Sequence, residues 1–278
     1  STQVFETVSI YTLEKQLLAL QSQRLPANEI MKTNHSLRTY NLLSNRNTLT
    51  EIGYFCIRLP LPTRKSIILY HLNVRRDPYL FLHLCVLCTI ETSANIFKWP
   101  KKSNNERMNF LTLHDRITFY ENRFGGYSDV ATLYNIWAEL IGDYSYVRLT
   151  NFCKENFLNI HGFIEALSLI KECQKVMYNF GIQAKSVKPE NVLECSNELF
   201  HYLELTMPEC LAVTVFKGGR AVLECGESTY DVYDKAVHLM HIGGVVGQRF
   251  YIMASKEIVS KGNTYKCATV LHALPPDD

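Results

Sequence analysis

The side chains that can do chemistry in this chain are scattered and do not assemble into a reactive constellation. Nine cysteines include one pair, Cys85 and Cys88, at CxxC spacing, which brings two thiolates together in zinc and redox sites. No second Cys or His pair of matching spacing follows, and the pair lies in the apolar run Leu82 to Ile90. The odd count, irregular spacing and apolar surroundings of Cys56, Cys85, Cys88, Cys173 and Cys225 point to reduced, buried thiols in an intracellular reducing compartment, cytoplasm or nucleus. His114-Asp115 and His161 fall in helical patterns without a serine nucleophile motif, so no catalytic triad is expected. Glu224 and Glu227 flank a turn. Gly125-Gly126, Gly218-Gly219 and Gly243-Gly244 lack the lysine and the strand-to-helix setting of a phosphate loop, and read as turns. The chain has no GxxxxGK[ST] loop and no acidic DExH quartet to hold magnesium. We assign it no catalytic residue, no metal ligand and no cofactor of its own.

A formal charge of +2 over 278 residues excludes the protein-wide field of a polybasic nucleic-acid binder, so any phosphate contact must be local. One basic loop, FKWPKKSNNERMN, offers Lys98, Lys101, Lys102 and Arg107. The opening residues lack the basic start and apolar segment of a signal peptide. The longest apolar run, Tyr79 to Ile90, is too short to cross a bilayer, and a soluble protein without membrane contact is expected. The first residue is not Met, and the chain reads as a piece of something longer.

The elements that must position these groups are mainly helical. Ser128 to Phe180 is the organising stretch, with Val130, Leu133, Trp137, Leu140 and Ile141 on one helical face and Phe163, Leu167, Ile170, Met177 and Phe180 on another. Ser128-Asp129 and Thr150-Asn151 supply oxygens that can cap first turns. Upstream, Ile10, Leu13, Leu17 and Leu20 form one stripe and Leu37, Tyr40 and Leu43 a second. Thr63 is placed to cap a helix, and Asp77-Pro78 to start the next with Pro at its first position. That helix is apolar nearly all round, which predicts the centre of a bundle. A further helix carries Leu113, Ile117, Tyr120 and Phe124 up to Gly125-Gly126, and Pro189 is placed to start one carrying Val192, Leu193, Leu199 and Leu203. From about Ala221 the period becomes extended: AVLECG, TYDVY, AVHLMH, QRFYIMAS and ATVLHAL are five β-like runs, which suit a small barrel of the oligonucleotide-binding (OB) type.

Three stretches, in order, resemble the C-terminal region of DEAH/RHA-type RNA helicases. The first is Leu49, Thr50, Gly53, Leu59, Pro60, Leu61 and Leu69, similar to the "LT..G…LPL.P" signature of a winged helix, with Pro62-Thr63 where the family has an acidic residue and proline. The second is Asp129, Thr132, Leu133, Asn135 and Trp137, then Phe152 to Asn159 and Ala166 to Cys173, similar to the helicase-associated ratchet bundle, though poorer in arginine. The third is Tyr251, Ala254, Ser255, Lys256 and Glu257, followed by Val270-Leu271 and Leu274-Pro275, similar to the closing OB-fold. The usual Trp is absent there, and the HPSS turn becomes His241-Ile242-Gly243-Gly244. The rapid divergence of a source such as a large DNA virus would explain these departures, and the virion then becomes a further location.

The resemblance implies a winged helix over 1–72, a ratchet bundle over 73–205 and an OB-fold over 206–278. The function implied is that of an accessory module that lines the channel for single-stranded RNA, or DNA, and restrains bases while motor domains outside this chain use ATP and Mg2+. Arg148, Lys154, Asn156, Lys171, Lys175, Arg249, Ser255 and Lys256 are the nucleic-acid-binding residues expected by motif position or exposed charge. An auxiliary activator protein is an expected partner. The competing expectation is a protein–protein interaction module that binds no nucleic acid.

Overall fold

The run that is apolar on every side does become the centre of the helical layer. In the computed structural model, which describes residues 35, 37–46, 48–97, 112–125, 128–232, 249–260 and 262–273, the helices are α1 (Glu51–Arg58), α2 (Thr63–Val74), α3 (Leu80–Ile90), α4 (Leu113–Phe124), α5 (Asp129–Leu140), α6 (Tyr146–Glu155), α7 (Ile160–Asn179) and α8 (Val192–Thr206). All eleven residues of α3 are buried, and α2, α5 and α7 pack around it. Several polar groups in and around it find partners inside the core. The Trp137 indole N–H donates to Thr89 Oγ1 at 2.8 Å, Thr89 donates on to the Cys85 carbonyl at 2.7 Å, and His83 Nδ1 meets the Tyr134 hydroxyl at 2.6 Å. Buried polar groups paired in this way avoid the desolvation penalty of an orphan donor.

The chain divides into two compact units, 1–54 and 55–278. In the first, the Leu49-Thr50-x-x-Gly53 signature acquires a physical role. Thr50 Oγ1 accepts from the Gly53 amide at 3.1 Å and donates to the Asn41 carbonyl, which caps the first turn of α1. A side chain at Gly53 would collide with the Leu42 carbonyl. The stripe Ile10, Leu13, Leu17 and Leu20 lies outside the described residues.

Several helix starts differ from expectation. Thr63 is itself the first residue of α2, and Pro62 in the cap position makes no side-chain cap. Asp77 Oδ1 accepts from the Tyr79 amide at 2.6 Å, so Asp77-Pro78 form a turn and α3 begins at Leu80. Thr150 and Asn151 lie inside α6. Ser145 caps that helix through the Arg148 amide, and the Thr150 hydroxyl donates back to the Tyr146 carbonyl. Asn191, rather than Pro189, starts α8, accepting from the Leu193 and Glu194 amides, and Leu193 is left exposed. Thr63, Asp77 and Thr150 each had the oxygen a cap needs, but the turn before the helix decides which oxygen reaches the orphan amides. Ser128, by contrast, caps α5 through the Ala131 amide as expected.

The C-terminal strands are β1 (Leu211–Lys217), β2 (Arg220–Cys225), β3 (Ser228–Val232), β4 (Arg249–Ser260) and β5 (Asn263–His272). They close into a barrel in the order β1-β2-β3-β5-β4, antiparallel except for β3 with β5 and sealed by β1 against β4. Gly218 and Gly219, at φ of 58° and 80°, make the tight turn between β1 and β2, a geometry that costs glycine little. Among the described residues the strands number five, as expected, but their identity differs. Leu211–Lys217 supplies a strand outside the five expected runs, and AVHLMH lies outside the described residues. Ala212, Leu223, Phe250, Ile252, Ala268, Leu271 and Ala273 fill the barrel.

Bundle and barrel belong to the same unit, and a buried polar seam joins them. Asp129 Oδ2 accepts from the Leu271 amide at 2.9 Å. His272 Nε2 lies 3.1 Å from the Ser196 carbonyl, which can only accept, so that nitrogen carries the proton and Nδ1 accepts from the Ser128 hydroxyl at 3.1 Å. Lys65 of α2 pairs with Glu91 and donates to the Met253 carbonyl at 3.3 Å.

Candidate nucleic-acid interface

The seam leaves a cleft of about 470 Å³ beside it, lined by residues from α3 and the loop after it, the first turns of α5, Asn159, and the barrel strands β4 and β5. Ser255 and Lys256 stand on its barrel wall. They follow register shifts in the β4–β5 pairing at Ile252/Ala254 and Ala254/Ser255. Such irregularities bend a strand and re-aim the side chains beyond them.

The opposite wall is the loop Thr92–Phe97, held by its neighbours in α7. Glu165 Oε2 accepts from the Ser93 and Ala94 amides at 2.9 and 3.2 Å, and the Ser93 hydroxyl adds a third bond. The Ala94 amide first, and the Ser93 groups with it, hold the Glu165 carboxyl below the usual carboxylate range. Gly162 lets α7 approach this closely, since a Cβ there would stand 2.7 Å from both the Ala94 carbonyl and Ile96 Cγ2. Asn159 donates to the Asn95 carbonyl at 3.1 Å. Asn95 in turn uses its own Oδ1 on the Phe97 amide.

What the cleft offers a ligand is mostly neutral. Asp129 is engaged with the Leu271 amide. The Asn95 amide nitrogen and the Ser255 and Thr269 hydroxyls line the cleft without a hydrogen bond among the described residues. Lys256 supplies a positive charge. Donors of this kind match sugar hydroxyls and base edges, with a phosphate at the cation.

The structure brings together only Ser255 and Lys256 of the residues expected to touch nucleic acid. Arg249 is exposed at the start of β4. Arg148, Lys154, Lys171 and Lys175 are exposed on α6 and α7, and none lines this cleft. Asn156 is 4% exposed, and its amide is already committed. Nδ2 donates to the Phe152 carbonyl at 2.9 Å, and Oδ1 accepts from Arg123 Nε at 2.6 Å. Arg123 also grips Glu139 with two bonds of 2.7 Å. Asn156 therefore ties α4 to the end of α6 and is nearly covered. The loop cations Lys98, Lys101, Lys102 and Arg107 lie outside the described residues.

Asn95 and Thr269 were missed by sequence reasoning. The only signal for Asn95 was the polar stretch Glu91-Thr92-Ser93-Ala94-Asn95 directly after an apolar run, which reads as a loop and says nothing about what faces it, and Thr269 sits in an apolar strand pattern that gave none.

No family model matches the chain. It is 28% identical over 253 residues to "Uncharacterized protein L581" of Acanthamoeba polyphaga mimivirus, a match covering 87% of this chain and 34% of that protein. The chain thus spans about a third of the length of the relative it matches.

The CxxC pair lies deep in the core, with Cys85 and Cys88 both fully buried. Cys88 Sγ stands 3.9 Å from Cys173 Sγ between α3 and α7, and that contact, with burial, pushes the Cys88 thiol up. Burial alone raises Cys85 well above the ordinary thiol range. Neither presents a thiolate at neutral pH. Among the described residues no helix is long and apolar enough to cross a membrane.

Proposed function

We propose that this chain is the C-terminal accessory module of an ATP-dependent DEAH/RHA-type RNA helicase, in which the junction of bundle and barrel forms part of the channel for single-stranded nucleic acid. The observation that carries this reading is the cleft itself. Ser255 and Lys256, the pair singled out by the Tyr-x-x-Ala-Ser-Lys-Glu resemblance, line it together with Asn95 and Thr269. The barrel supports it further, because a closed five-stranded sheet in the order β1-β2-β3-β5-β4 suits an OB-fold. The Thr50 cap and close-packed Gly53 give the winged-helix signature a structural reason. In this reading the motor domains, with ATP and Mg2+, lie outside the 278 residues. The module holds sugars and bases through neutral donors while the motor steps, and an auxiliary protein docks beside it.

Fluorescence anisotropy of a labelled single-stranded RNA over a salt series tests the reading. One phosphate contact at Lys256 gives a slope of about −0.7 in log K against log salt, and Lys256→Glu removes that increment. Ser255→Ala and Asn95→Ala weaken RNA more than DNA of the same sequence if ribose hydroxyls are read. No binding even at low salt would overturn this reading and favour the protein–protein module.

A further inference from the structure

Seven of the nine cysteines are buried, and the two that are only half-buried, Cys210 and Cys225, are neighbours in the fold. Cys225 was expected among the buried thiols from its apolar surroundings, but it ends β2 at the rim of the barrel. Cys210 ends the short 3-10 turn Pro208–Cys210, which carries the chain from α8 into β1. The β1–β2 register runs from Lys217↔Arg220 to Val213↔Glu224, so its next step sets Cys225 opposite Ala212, two residues from Cys210. The Cys225 thiol reaches further, donating to the Glu209 carbonyl at 2.9 Å. One trans peptide joins that carbonyl to Cys210, which puts the Cys210 Cα within about 6 Å of Cys225 Sγ. A disulfide spans Cα atoms roughly 4.4–6.8 Å apart. The pair stands at the edge of that reach, so turning the two side chains and a small shift of the 3-10 turn join the sulfurs.

The two thiols are not equivalent. Arg64, in the first turn of α2, pairs with Glu209 and brings its charge to the Cys210 side. Burial pushes the Cys210 thiol up; the Arg64 charge opposes this, Cys225 adds to it, and Lys65 opposes it again. Cys225 is raised by burial, and the Glu209 carbonyl holds its proton. Cys210 is thus the better nucleophile and Cys225 the resolving thiol. The sulfurs of Cys88 and Cys173 also lie close together, at 3.9 Å, but both residues are fully buried and shielded from an oxidant.

We propose that Cys210 and Cys225 form a site of reversible oxidation, a dithiol that a low-molecular-weight disulfide converts into a crosslink between the α8–β1 connector and β2. The Cys210 thiolate attacks the incoming disulfide and expels one thiolate. The Cys225 thiolate then attacks Cys210 Sγ and expels the second. The chain gives up two electrons and two protons, and the oxidant leaves as two thiols. The crosslink staples the connector, already tied to α2 through Glu209 and Arg64, to the first hairpin of the barrel. The site does not depend on the nucleic-acid reading.

The test exposes the folded whole chain to glutathione disulfide over a range of glutathione ratios, quenches with acid, alkylates in denaturant and maps the peptides. The expected result is a linked peptide pair holding Cys210 and Cys225, the loss of these two alkylation sites alone, and their return with dithiothreitol. Cys225→Ser lacks the resolving thiol and accumulates a glutathione adduct on Cys210, whereas Cys210→Ser gains one on Cys225 more slowly. Far-UV circular dichroism confirms that the oxidised chain and both variants keep their fold. The absence of the linked pair at every ratio, or its appearance only in urea, would overturn the proposal. So would linkage of Cys88 to Cys173 ahead of it, and a faster adduct on Cys225 would overturn the order of attack.

Discussion

His272 sets a pH limit on the attachment of the barrel, and the size of the effect follows from its surroundings. The side chain is fully buried, faces the uncharged Ser128 hydroxyl and Ser196 carbonyl, and lies edge-on to Phe200 at 5.7 Å. Burial lowers its pKa to about 4, against an ordinary value near 6.5. Between these two values the unfolded chain binds a proton that the folded chain refuses, so stability falls as pH falls. It is fully present above pH ~6.5, declines through the window, and levels off below pH ~4. Going from pH 7.5 to pH 5 the loss is about 2 kcal/mol, which for a chain of this size is roughly 4–8 °C in melting temperature. Urea denaturation at both pH values, on the wild type and on His272→Gln, isolates the contribution, because carboxylate titrations elsewhere cancel in the difference. The variant is less stable at pH 7.5, for want of the packed ring, yet its stability drops about 2 kcal/mol less than the wild type's on acidification. Equal pH dependence in the two proteins would refute the reasoning, since it would mean that the imidazole is solvated or gains a counter-charge on protonation.

Gly162→Ala tests the wall of the junction cleft. The new methyl meets the Ala94 carbonyl and Ile96 at 2.7 Å, and Glu165 pins the same loop from α7. The loop is not free to yield, so the expected cost is about 1–3 kcal/mol in urea denaturation, with weaker RNA binding. Asn156→Ala should destabilise by about 2 kcal/mol, the worth of a buried hydrogen bond to a charged group, while RNA affinity stays unchanged under conditions where the variant is folded. A loss of RNA affinity without loss of stability would return Asn156 to the binding surface.

The parts of the fold legible in the sequence are those governed by local periodicity. The all-apolar run of α3 had to be buried on every side, the stripes of α5 and α7 had to face it, and the glycines at 218 and 219 had to turn a hairpin. Helix starts were less legible, because Thr63, Asp77 and Thr150 carry capping oxygens as good as those of Ser128, Ser145 and Asn191. The choice among them depends on the path of the chain before each helix. The strand Leu211–Lys217 was hidden for a related reason. It follows α8 after only a short 3-10 turn, Pro208–Cys210, and its apolar residues continue a helical stretch without a break in composition.

Residue types and motif order determined which side chains were worth considering: a Ser-Lys pair on a strand, lysines along a helix, and an asparagine after Lys-Glu. Only the tertiary structure decided what each one meets. It carried Asn156 into contact with Arg123, set Ser255 and Lys256 past a register shift on a cleft that Asn95 also lines, and left Lys171 on another surface beside Tyr146. Exposure and partnership arise from contacts between residues far apart in the chain, such as Asn95 with Asn159 or Asp129 with Leu271. A local pattern specifies the face a side chain occupies on its own element, and the packing of the elements specifies what that face meets.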